Sequence, residues 1–235
     1  MPVSVDAAIG RQSVAKLTRA VLVYQDARHV DTFATVHQVT GVDEGAPALA
    51  PGRLLSLEEL RTIHKALYKM QRLSINPPHV LAHSPERLVW FEPAWPRVMF
   101  YSGEDAYLNE LSGRTFPQPA LLFIAGERWL KVFALESNER PTAQSKVYTA
   151  PYYNTSSSGV CLGSMPLPTT LSPNDTDAYS DAFFHSAFTH GTAQRLLTGW
   201  GGSYGEFWTH VHEGGTFPVQ HLVPLNMDVE AVINA

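Results

Sequence analysis

The chain has 235 residues, 44% of them hydrophobic and only 17% charged, with a formal net charge of −5. That hydrophobic share can build a core, while an acidic balance with no run of Lys and Arg excludes an electrostatic grip on nucleic acid. No apolar run approaches the roughly 18 residues needed to span a bilayer, the N-terminus carries no basic-then-apolar leader, and one cysteine cannot form an internal disulfide, so the expected setting is cytoplasmic with a reduced thiol.

The charged share lies below the usual value of about 25%, which suits a surface partly covered by a partner. In chain order, Ala20 to Tyr24 and Thr32 to Val39 are rich in β-branched and aromatic residues around Asp26-Ala27-Arg28, and this predicts a hairpin. Gly41 to Gly52 reads as a loop. Ser56 with Glu59 is a capping box, and Leu57, Leu60, Ile63, Leu67 and Met70 recur at helical spacing before Asn76-Pro77-Pro78 stops the helix. Short β-like runs follow at Val80 to His83, Arg87 to Glu92, Arg97 to Tyr101, Pro119 to Ala125, Trp129 to Leu135 and Lys146 to Tyr152. Gly126-Glu127-Arg128 forms a tight turn, and the succession predicts an antiparallel meander. Gly103 to Gln118 reads as an insertion. Asp177 to Phe188 reads as a helix, Gly199 to Gly205 as a loop, and the tail after Pro224 as weakly helical. The expected class is α+β: an antiparallel β-meander flanked by helices, over residues 56–235, with an N-terminal β-hairpin elaboration over 1–55.

The segment Pro151 to Pro168 holds the sole cysteine. A polar, β-breaking lead-in from Asn154 to Gly159 delivers Cys161 between Gly159 and Gly163, which is a way to display a nucleophile rather than bury a thiol. Asn154 lies close enough in sequence for its carboxamide to reach the sulfur and stabilise an oxyanion. Tyr152-Tyr153-Asn154 and Gly159-Val160-Cys161-Leu162 resemble the active-site segment of the ubiquitin-conjugating enzymes, with tyrosines where that family has His and Pro. A closer resemblance is to a divergent bacterial branch, the B proteins of PRTRC cassettes. It extends over Phe183 to His190 and Phe217 to Leu225.

The resemblance implies a UBC-like fold with its cysteine loop at 151–165, a cysteine that carries a ubiquitin-like protein as a thioester, and transfer of that protein to an amine. It implies a ThiF-type activating enzyme and a ubiquitin-like protein as partners, a JAB-type metalloprotease of the same cassette to reverse the linkage, and no cofactor. A thiol suits that chemistry because it both attacks and leaves well. The bacterial branch places a histidine after the cysteine, for which His190 is the first choice and His185 the second. A non-catalytic binding module of the same fold and a cysteine hydrolase stay open as alternatives, and an exposed Cys161 with a lowered pKa would separate the carrier from the binding module.

Two other patterns are set aside. Gly201-Gly202-Ser203-Tyr204-Gly205 fits G-x-S-x-G, but a hydrolase elbow needs a buried strand before it and room for an acid and histidine after it. The glycines read instead as a flexible rim. His210 and His212 alternate as in a strand, with Glu213 and His221 near, yet lack the cysteines or the H-E-x-x-H spacing of a zinc site, so no metal is expected.

Overall fold

The computed structural model describes residues 17–25, 32–41, 47–68, 75–103, 105–191 and 196–235. The chain divides into two compact units, Met1–Ser74 and Ile75–Ala235.

In the first unit, the β-branched runs form β1 (Arg19–Gln25) and β2 (Thr32–Thr40), antiparallel from Arg19↔Gln38 to Gln25↔Thr32. The turn expected at Asp26-Ala27-Arg28 lies outside the described residues. The segment read as a loop contributes β3 (Ala48–Leu49), and β4 (Arg53–Leu54) follows, both pairing with β2. The His37 imidazole bonds the Ala50 carbonyl (2.9 Å) and the Thr35 hydroxyl (2.8 Å). Gly52 lies flat on that ring, where any Cβ would come within 2.3 Å of it. The predicted capping box forms at α1 (Leu57–Tyr68): Ser56 Oγ accepts from Glu59 N and the Glu59 carboxylate accepts from Ser56 N, each at 3.2 Å. Arg53 grips the same carboxylate at 2.6 and 2.7 Å and, with Ser56, holds Glu59 down to about 2. The apolar face that marks the helix in the sequence is left open, with Leu57, Leu60 and Ile63 exposed at 74%, 51% and 37%. The side chains of Leu67 and Met70 lie outside the described residues.

The second unit is organised by a six-stranded sheet in the order β15-β11-β10-β9-β6-β5, antiparallel throughout. Its strands are β5 (Val80–His83), β6 (Leu88–Glu92), β9 (Ala120–Gly126), β10 (Trp129–Leu135), β11 (Lys146–Thr149) and β15 (Pro224–Asp228). Glu127 and Arg128 make the predicted turn between β9 and β10. All seven residues of β9 are buried, so the alternation of side chains loads both faces. Trp90, Leu121, Phe123, Leu130 and Val132 point to the face that carries most of the helices, and Val89, Leu122, Ile124 and Phe133 to the other, with Val232 of α5 (Val229–Asn234).

The meander expected from consecutive strands is interrupted. β7 (Arg97–Tyr101), α2 (Ala106–Glu110) and β8 (Arg114–Phe116) leave the sheet and form a second layer on its helix-bearing face, burying Met99, Leu108 and Phe116. The helix expected over Asp177 to Phe188 is α3 (Thr176–Phe184) and stops at His185, because Ala187 and Phe188 become β14 and pair parallel with Phe100 and Tyr101 of β7. Tertiary pairing outweighs a helix-compatible local sequence here. The glycine-rich segment also departs from expectation. Ser203 is the N-cap of α4 (Tyr204–Gly214), in a second capping box with Glu206, and the helix ends on Gly215 with φ 72°. His210 and His212 therefore sit on a helix, not a strand. His210 lies on Trp200, His212 bonds the Thr115 carbonyl at 3.0 Å, and among the described residues no cluster suits a metal. No helix among them is long and apolar enough to cross a membrane.

Candidate functional site

Cys161 follows a miniature hairpin. β12 (Thr155–Ser156) and β13 (Gly159–Val160) pair across Ser157 and Ser158, and Cys161 N closes the hairpin by donating to the Asn154 carbonyl at 2.8 Å. Asn154 starts this turn in the left-handed region, φ 61°, where Asn is tolerated better than most residues.

Tyr152 and Tyr153 anchor the base of the loop. Tyr152 is fully buried, stacks on Trp208 (5.9 Å, 19°) and Phe188 (5.7 Å, 26°), and donates its hydroxyl to Gln118 Oε1 at 2.8 Å. Burial pushes its phenol well above the usual range, so it stays neutral. Tyr153 stacks on Tyr204 at 4.2 Å, and the Tyr204 hydroxyl donates to the Pro151 carbonyl at 2.8 Å.

Beyond this base the thiol emerges exposed. It lines an open cleft of about 790 Å³, bounded on one side by Cys161 to Pro166 and on the other by α3 and the segment after it. Asn154, His185 and His190 line the same cleft, so the four residues singled out in the sequence are brought to one place. Asp181 on the α3 side lies 3.9 Å from Arg97, which is itself paired with the half-buried Glu92 at 2.8 Å. Among the described residues no side chain bonds the Cys161 sulfur, so the paired Cys–His arrangement of a cysteine hydrolase is absent from them.

The Asn154 carboxamide bonds the segment that follows α3. Its oxygen accepts from Thr189 N (3.3 Å), the Thr189 hydroxyl (3.1 Å) and His190 N (3.2 Å), and its Nδ2 donates to the Ala187 carbonyl (3.1 Å). Asn154 N also donates to the His190 carbonyl at 3.1 Å. The cysteine loop is thereby fastened to the segment that carries both histidines, and one N–H of the carboxamide is left over. Thr189 was not apparent from the sequence, though its place beside His190 was a signal. The Thr189 hydroxyl lies 3.1 Å from Asn154 Oδ1 and 2.8 Å from His190 Nδ1, so it links the carboxamide to the imidazole. His185, at the end of α3, packs its ring against Phe100 at 6.2 Å instead.

An α+β fold in which a meander leads into a loop displaying an exposed thiol above a helix-walled cleft has the form of a ubiquitin-conjugating-like (E2-like) protein. The chain belongs to prokaryotic E2 family D, whose model matches residues 58–225. The match begins within α1, and the compact units divide at 74/75. No curated protein and no solved structure matches the chain.

Proposed function

We propose that this E2-like chain carries a ubiquitin-like modifier as a thioester on Cys161 and transfers it to an amine. One observation carries the reading: the sole thiol is exposed on a cleft that it shares with Asn154 and two histidines. In loading, the Cys161 thiolate attacks the modifier's activated C-terminal carbonyl on a ThiF-type activating enzyme, and that enzyme's leaving group departs. In discharge, an amine attacks the thioester carbonyl, gives up a proton, and expels the Cys161 thiolate. In this reading His190 takes that proton, with His185 the second candidate, and the spare Asn154 N–H serves the oxyanion. A JAB-type protease would reverse the linkage in a PRTRC-like cassette, of which this chain would be the B protein.

Incubation with the activating enzyme, modifier and ATP, read by intact mass, tests this. The parent gains one modifier, released by thiol reductant; Cys161→Ser gains it in reductant-resistant form; Cys161→Ala gains nothing. A reductant-sensitive adduct on Cys161→Ala overturns the assignment, because the chain has no second sulfur nucleophile. A second reading, a non-catalytic binding module of the same fold, draws on the near-complete engagement of the Asn154 carboxamide and is favoured if the parent never acquires an adduct.

A further inference from the structure

Among the described residues, β1 pairs on one side only, with β2. The direction of its peptide groups follows from its neighbours. Val39 N of β2 bonds the Thr18 carbonyl, while the Ala34 and Gln38 carbonyls accept from Leu55 and Ala50 on the opposite side of β2. Antiparallel alternation then turns the peptide groups of Ala20, Leu22 and Tyr24 toward β2 and those of Arg19, Val21, Val23 and Gln25 outward.

Among the described residues this edge lacks the usual protections. β1 runs for seven residues and carries no proline, lysine or bulge, and its only charge is Arg19 at the start. Val21, Leu22, Val23 and Tyr24 are exposed at 41%, 36%, 68% and 40%. An edge of this kind is disposed to accept another strand. The sequence Arg-Ala-Val-Leu-Val-Tyr-Gln can also face its own reverse about Leu22: its Val-Leu-Val centre is palindromic, Ala20 meets Tyr24, and Arg19 meets the neutral Gln25, with no like charges opposed.

We propose that β1 pairs antiparallel with β1 of a second copy of this chain, on a two-fold axis through Leu22. In that register the outward peptide groups of Val21 and Val23, and of Arg19 and Gln25, meet as hydrogen-bonded pairs. Leu22 faces Leu22 as a non-bonded pair, with Cα atoms about 4.5 Å apart. The stacked Tyr24 and Phe33 rings (4.8 Å, 10°) lie on the same face as Leu22 and extend the apolar contact. The pairing is isologous, so it closes at a dimer and does not propagate along this edge. It does not depend on the carrier reading.

Sedimentation velocity of the full chain from low micromolar to near-millimolar concentration should show a species of twice the 26.0 kDa chain mass, and Val23→Lys, which opposes an apolar Val21 with a charge, should return it to monomer while keeping the parent's melting temperature at concentrations where the parent is itself monomeric. The register is read independently by single cysteines in a Cys161→Ala chain. Leu22→Cys should oxidise to a covalent dimer, and Arg19→Cys should not, because its copy lies about 20 Å away along the strand. A monomer at every concentration, a dimer that Val23→Lys leaves intact, or equal cross-linking at positions 19 and 22 overturns the proposal. If Val23→Lys unfolds, the cross-linking pattern alone decides.

Discussion

The two capping boxes, Ser56–Glu59 and Ser203–Glu206, begin helices with the same local chemistry and opposite fates. α4 buries Phe207, Trp208 and Val211 completely in the core of its unit, whereas α1 leaves Leu57, Leu60 and Ile63 open. Among the described residues of the first unit only Val36 counts as a buried hydrophobic, while the second unit has two core clusters, one on each face of its sheet. Capping decides where a helix starts; burial decides whether it supports anything else. The second unit is built to hold the cysteine loop still, and the first presents apolar groups outward.

The sharpest test of this contrast is truncation within the two helices. Trp208→Ala should cost about 3–5 kcal/mol in denaturant unfolding, since it removes the ring beneath Tyr152. Leu60→Ala in the open face should stay within about 0.5 kcal/mol, and a comparable loss there would mean that α1 is as well packed as α4.

Next in size is the tie across the cleft. Asn154→Ala removes four side-chain hydrogen bonds and puts alanine in the left-handed region, for an expected loss of about 2–3 kcal/mol. If the spare N–H also serves an oxyanion, discharge to free lysine falls by about 10²–10³ beyond any change in loading. Equal proportional losses in both steps would assign the residue to positioning alone. Ser203→Ala should cost about 1 kcal/mol by removing the N-cap, and an unchanged midpoint would show that burial of α4 makes its cap redundant.

The smallest effect is the pH response of the first unit. The Glu59 carboxyl titrates at about 2 in the fold against 4.5 ordinarily, chiefly because of Arg53 and then Ser56. A depressed pKa stabilises fully above the unfolded value, so the contribution is intact above about 4.5 and fades as pH falls toward 2. Melting temperatures of the parent and Glu59→Gln should therefore converge through that window, and a constant difference would show that the ion pair contributes nothing to the fold.

Much of the second unit was legible because its strands are dense in β-branched and aromatic residues between turn formers, as at Ala120–Gly126 and Trp129–Leu135. The departure of β7 and β8 was not, since nothing local to Arg97–Tyr101 tells which sheet it joins. α4 was missed although its signal was present: Ser203 and Glu206 have the spacing that revealed α1, but Gly199, Gly201, Gly202 and Gly205 argued for a loop. At the site, the polar lead-in before Cys161 spoke for an exposed thiol. The contacts of Asn154 with Thr189 and His190 could not be read, because they join segments 35 and 36 residues apart through side-chain hydrogen bonds.

The parallel pairing of Ala187 with Phe100 bears on how the cleft comes into being. These partners are 187 − 100 = 87 residues apart, whereas Gly126 and Trp129, which open the β9–β10 ladder, are 129 − 126 = 3 apart. At about 0.6 kcal/mol per doubling of loop length, the longer closure costs on the order of 3 kcal/mol more chain entropy. The wall bearing His185 and His190 is thus among the last parts that a refolding or nascent chain can assemble. Until that ladder closes, the thiol loop exists without its opposite bank, so under the proposed carrier function competence for transfer should lag behind recovery of bulk β structure in a refolding time course.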